Sequence, residues 1–152
     1  MKIVINFLKS IIFSIPLIIL FKMVEKKILI TAVFFGFFAI IFGAFGAHGL
    51  KKVLTSEQLL SFETGVKYQM YHALFLLAVA NFSFLTLKEK QIIFYLTFFG
   101  VLFFSFSIYL LSLQNILKLN LKFLGPVTPF GGLLLILSWG YLFYTILIKK
   151  FS

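Results

Sequence analysis

Residues 28–47 (ILITAVFFGFFAIIFGAFGA), 68–87, 92–113 and 129–148 each run for 20 residues or more without a formal charge. This feature constrains the fold more than any other. A hydrocarbon slab about 30 Å thick is crossed by roughly 20 helical residues at 1.5 Å each. Inside it, backbone groups have no water to bond, so uninterrupted runs of this kind must be helices. The expected fold is therefore all-α: a polytopic membrane helix bundle with four core transmembrane helices. Composition agrees. Hydrophobic residues make up 62% of the 152 and aromatics 20%, and mean hydropathy is +1.12, whereas a soluble domain is about 45–50% apolar.

The net charge of +10 comes from fourteen lysines against four glutamates, with no Arg and no Asp. The lysines fall between the apolar runs, as Lys22, Lys26 and Lys27, then Lys51 and Lys52, Lys88 and Lys90, Lys118 and Lys122, and Lys149 and Lys150. That placement is expected of anchors that snorkel to a membrane surface and meet anionic headgroups. A nucleic-acid surface would cluster its bases and use Arg for bidentate contacts, so nucleic acid is not an expected partner. With no cysteine, disulfides, iron–sulfur clusters and thiol catalysis are excluded.

Residues 1–22 form a separate N-terminal hydrophobic extension in this reading. They are apolar but broken by Lys9 and Pro16, and three descriptions stand: signal-like, an extra helix, or a mis-called start upstream of Met23. The four-helix domain then occupies residues 23–152. Between its first two spans, Thr55 and Gln58 match a capping box, and Leu59, Phe62 and Val66 recur at helical spacing. They predict a short interfacial amphipathic helix, lying at the surface or running into the second span. Lys88-Glu89-Lys90 reads as a minimal turn, residues 114–128 as a longer loop at the headgroups, and Thr128-Pro129 as the start of the last helix. Counting lysines places seven on the side of Lys22 and five on the other. The positive-inside rule then puts both ends of the core in the cytoplasm.

The polar residues that could carry chemistry gather in one stretch, residues 43–75. Glu63, Lys67, Tyr68, Gln69 and His72 are spaced so that one helix face passes from charged to polar. Glu63 and Lys67 stand in the favourable i,i+4 order for an ion pair. Ionisable groups inside a membrane are functional candidates, while a helix entering the headgroups would carry the same residues for solvation alone. His48, at the mouth of the first span, either caps that helix with Gly49 in a left-handed conformation or shares a metal, haem or proton site with His72. Two histidines do not complete a zinc set, and neither a catalytic nor a metal-binding residue is assigned. Ala39, Gly43 and Ala47 form a small-xxx-small series for close helix approach, and Gly131 and Gly132 a second notch. Ser105, Ser107 and Ser112 have no recognisable partner base, and Trp139, Tyr141 and Tyr144 read as packing and interface aromatics.

Four blocks in this order, GAFGAHGL (43–50), FETGVKYQMYHAL (62–74), Ser107 with Tyr109, and GPVTPFGGLLLILSWG (125–140), resemble the small membrane proteins of the domain of unknown function 423 family. That is the YgdD/YwdK-like group, with transmembrane protein 256 as a human relative. The resemblance spans about residues 23–150. It implies a four-span inner-membrane protein without catalytic residues to carry over. The expected function is that of a non-enzymatic membrane protein with no cofactor, packing with itself as a homo-oligomer or with a membrane partner. Two alternatives are a small-solute or proton permeation component built on Glu63, Lys67, Tyr68 and His72, and the His48/His72 metal or haem site.

Overall fold

Two threonines set where helices begin. Thr55 Oγ1 accepts the Gln58 backbone N–H at 3.2 Å, and the Gln58 side chain accepts the Thr55 N–H at 3.0 Å. Thr86 and Glu89 repeat this reciprocal arrangement at 3.3 and 2.7 Å. Each box satisfies two N–H groups that a helix start leaves open. The computed structural model describes the backbone of residues 2–150 and the side chains of residues 19–150. It contains helices α1 (Lys2–His48), α2 (Ser56–Asn81), α3 (Leu87–Val101), α4 (Ser107–Leu113) and α5 (Val127–Ile148). A π-helical turn, Leu102–Phe106, joins α3 to α4 as one rod, and 3₁₀ turns sit at Leu50–Lys52 and Lys122–Leu124. No strand occurs among the described residues.

The bundle is all-α, as expected. Three stretches, Ile19–Lys52, Leu87–Leu113 and Lys122–Ile148, are long and apolar enough to cross a membrane. The remaining helix, α2, is 26 residues long but carries Glu57, Glu63, Lys67, Gln69 and His72, and it packs against α1, α3 and α4. The fourth expected span is thus the most polar of the four. Of the two placements expected for the helix after Thr55, the structure shows the second: residues 56–81 are one continuous helix that runs into the span, because nothing between Thr55 and Asn81 breaks it. Lys88-Glu89-Lys90 is not the turn but the first turn of α3, and the chain reverses over residues 82–86. The expectation of a distinct segment at residues 1–22 falls largely on side chains outside the described residues.

Helices α1 and α2 run antiparallel in a fixed register. Gly46 faces Phe62, Gly43 faces Val66 and Gly36 faces Ala73, while Phe35 bonds Gln69. The small-residue seam therefore reads Ala32, Gly36, Ala39, Gly43, Gly46. Ala39 and Gly43 are on it, but Ala47 is exposed. The reason is geometric. Alternating steps of three and four keep residues on a line against a partner helix, while repeated steps of four drift around the cylinder. Further along, α5 presses against the rod formed by α3 and α4. A Cβ at Gly131 would lie 2.3 Å from the Phe104 backbone nitrogen, whereas one at Gly132 would make only ordinary contact with the Phe104 ring.

Two end signals are corrected. Gly49 is right-handed, with φ −75° and ψ −53°, so α1 continues into the following 3₁₀ turn instead of stopping at a left-handed cap. Helix α5 begins at Val127, two residues before Pro129, and the Thr128 hydroxyl is within 2.7 Å of Ser107 Oγ instead of capping.

Candidate functional site

The candidate polar residues do not share a face. Gln69 and His72 are buried at 2% and 5% exposure, Glu63 is half-buried, and Lys67 and Tyr68 are exposed. At 100° per residue, positions 62, 65, 69, 72 and 76 point inward, and Lys67 and Tyr68 turn away. The expected Glu63–Lys67 ion pair is absent. Glu63 instead lines a shallow cleft with Lys51, Leu54 and Ser56.

Gln69 bridges three helices. Its Nε2 donates to the Phe35 carbonyl of α1 at 2.8 Å, and its Oε1 accepts from the Tyr109 hydroxyl of α4 at 2.9 Å. Tyr109 reaches that position because Gly65 makes room, since a Cβ there would stand 2.7 Å from its ring. The ring also packs on Phe42 and Phe62, with centroids 5.2 and 4.9 Å away.

His72 is committed at both nitrogens. Nδ1 lies 2.7 Å from the Tyr68 carbonyl, which can only accept, so Nδ1 carries the proton. Nε2 therefore holds a lone pair, and Trp139 Nε1–H donates to it at 3.3 Å. These partners assign a neutral imidazole protonated at Nδ1. Tyr68 stacks on one side, and Trp139 lies 4.2 Å from the Phe75 ring beneath. Trp139 is thus a hydrogen-bond donor to the histidine. The sequence offered only its aromatic character, and no spacing links positions 67 apart.

His48 is exposed at the end of α1 and shares no hydrogen bond or ring contact with His72. In the α1–α2 register it lies level with about residue 60, so His72 is some twelve residues, or roughly 18 Å, further along α2. The two histidines do not form a common site. Among the described residues no group of three His, Cys, Asp or Glu is placed to hold a metal ion.

The sequence reading missed a buried cation. Lys90, read as a snorkelling anchor, is 1% exposed. Its ammonium donates to Glu25 Oε1 at 2.6 Å and to the Ala80 carbonyl at 2.8 Å, and it stands 4.7 Å from the Phe21 ring centre. Ala80 belongs to the last turn of α2, where open carbonyls favour positive charge. One lysine therefore ties α1, the end of α2 and the start of α3. Nearby, Lys149 bonds Glu89 at 2.6 Å and the Phe84 carbonyl. Lys27 donates to the Tyr95 hydroxyl at 2.9 Å from above its ring. Within the bundle Thr97 and Ser138 pair at 2.7 Å, and Ser107 bonds the Phe103 and Phe104 carbonyls. The Ser105 and Ser112 hydroxyls are buried without a partner.

A family described as a protein of unknown function (DUF423) matches residues 42–132. The chain belongs to the DUF423 family. The match runs from the glycine end of the α1 seam through α2 to the Gly131 contact. It includes Gln69, His72, Lys90 and Tyr109, and leaves Glu25 and Trp139 outside. The UPF0382 membrane protein YwdK of Bacillus subtilis is 42% identical over 106 residues, covering 66% of this chain and 80% of its own. A UPF0382 membrane protein of Haemophilus influenzae is 34% identical over 122 residues, covering 79% and 93%. One from Staphylococcus saprophyticus is 43% identical over 97 residues, covering 64% and 77%. No solved structure matches the chain. These relatives are named as membrane proteins, and this chain is a helical bundle whose most polar helix, α2, packs against α1, α3 and α4.

Proposed function

We propose that the protein is a non-enzymatic component of a bacterial cytoplasmic membrane that acts by packing its outer helix faces against a second copy or another membrane protein. The observation that carries this reading is the inward commitment of two members of the polar stripe, Gln69 and His72. Gln69 and His72, which a permeation route would need to line it, are bonded to Phe35, Tyr109, Tyr68 and Trp139. They act as ties between helices. The face of α1 opposite its seam is left apolar and exposed at Val33, Phe37 and Ile40, so contacts with other proteins have that surface to use. Lysine placement supports cytoplasmic ends for the core.

The chain contains no cysteine, so Val33→Cys, Phe37→Cys and Ile40→Cys each provide a single reporter. Oxidative cross-linking in native membranes is expected to trap a dimer or a mixed adduct at one of these positions. Absence of any adduct at all three overturns the packing reading. Proteoliposome flux of protons that drops on His72→Ala or Gln69→Leu would favour permeation instead.

A further inference from the structure

A groove of about 650 Å³ lies on the flank of α3 and α5. Its floor is Ile92, Phe99, Phe103 and Phe130, and Lys88 stands at its head. The stripe from Lys88 to Phe103 covers fifteen helical steps, or about 22 Å, most of the depth of a bilayer core. A smaller notch beside Pro126 shares Phe103 and Phe130 with it, so the apolar track continues towards the opposite membrane face.

The charges are uneven in a way that specifies an occupant. At this end of the bundle Lys90 and Lys149 are neutralised by Glu25 and Glu89. Lys88, at the groove head, is exposed and makes no ion pair. Lys27 is held beside the groove by the Tyr95 hydroxyl, and Tyr95 is one of its walls. Lys27 too lacks a carboxylate partner. Two ammonium groups without a carboxylate partner thus stand beside a largely apolar track, Lys88 at its head and Lys27 at Tyr95, seven residues further along α3. That combination complements a negative phosphate joined to a hydrocarbon chain.

We propose that this groove is a binding site for one anionic glycerophospholipid, its phosphate between Lys88 and Lys27 and one acyl chain laid along Ile92, Phe99 and Phe103. A helix of a second copy would bring no negative charge to Lys88 unless it presented one of only four glutamates. The lipid is abundant in the solvent that already surrounds the groove. The proposal is independent of whether the face of α1 associates with a partner.

Native mass spectrometry of the full chain in detergent micelles, with phosphatidylglycerol or phosphatidylcholine added, tests it. The wild type is expected to retain one phosphatidylglycerol per chain, about 25-fold more than phosphatidylcholine, since each of the two lysines contributes about fivefold at an anionic surface. Lys88→Gln or Lys27→Gln should each cut that preference about fivefold, and the double variant should erase it, while acyl-chain retention persists. Leu96→Trp, which fills the groove, should release both lipids, and Ile136→Trp on another lipid-facing position should release neither. Equal retention of the two lipids by the wild type overturns the proposal. So does undiminished retention in Leu96→Trp, or a dimer that Leu96→Trp dissolves. Should Leu96→Trp fail to fold, the exposed Lys88→Gln decides by itself.

Discussion

Lys90 is the residue whose environment departs most from its chemistry. It is buried, while its partner Glu25 keeps 30% of its side-chain surface exposed. Removing one member of a buried pair is costly because the other is left charged and unpaired. The two halves should therefore respond unequally. Glu25→Gln strands the ammonium under Phe21 and is expected to cost about 3 kcal/mol, while Lys90→Met leaves a carboxylate that can turn to water and costs about 1 kcal/mol. Thermal unfolding of the detergent-solubilised variants checks this, and equal losses would contradict the asymmetry. Tyr109→Phe removes one bond from Gln69 but leaves its bond to Phe35, so a loss of about 1 kcal/mol is expected. Gln69→Leu strands the Tyr109 hydroxyl in an apolar cage and should cost more. The same unfolding measurement orders the two.

At the scale of the elements, the packing rests on a few close approaches. Gly131 lies against the backbone of Phe103 and Phe104 inside the π-helical turn, where neither side chain rotation nor a small shift makes room. Gly131→Ala is expected to cost about 1–3 kcal/mol through overpacking. Gly36→Ala, whose new methyl would meet Ala73 Cβ at 3.7 Å, should stay within about 0.5 kcal/mol. Comparable losses in both would show that the α5 contact yields more readily than its geometry implies. These elements also show which information sequence carries. The capping box at Thr55 and the uncharged runs are local patterns, and both were legible. The π-helical turn and the fate of Ala47 depend on which helix lies opposite, and no local spacing specifies that. Likewise the stripe from Glu63 to His72 is contiguous in sequence. Its separation into a buried pair and an exposed pair follows only from where α1 and α4 pack. Lys90 was misread for the same reason, since its carboxylate partner lies 65 positions away.

Taken as a whole, the molecule has two dissimilar ends. Residues 22–27, 82–90 and 149 meet at one, joined by the Glu25–Lys90 and Glu89–Lys149 pairs. The turns at Leu50–Lys52 and Lys122–Leu124 mark the other, where Ile116, Leu117, Leu119 and Phe123 are exposed, as a segment resting among headgroups requires. With the first end in the cytoplasm, Asn115→Cys is expected to react with a membrane-impermeant thiol reagent from the extracytoplasmic side and Lys88→Cys is not. The reverse pattern would invert the molecule.

The polarity of α2 has a consequence for how the chain is made. Ribosomal synthesis delivers α2 before α3 and α4, yet Gln69 waits for Tyr109 and Glu25 waits for Lys90. A helix this polar gains little by leaving the insertion machinery for lipid alone. Helices α1 and α2 are therefore expected to be held there and released together with the Leu87–Leu113 rod. In a chain truncated after residue 86, Ser83→Cys should be labelled from the extracytoplasmic side, and in the full chain it should be protected. Identical labelling would mean that α2 inserts without its later partners.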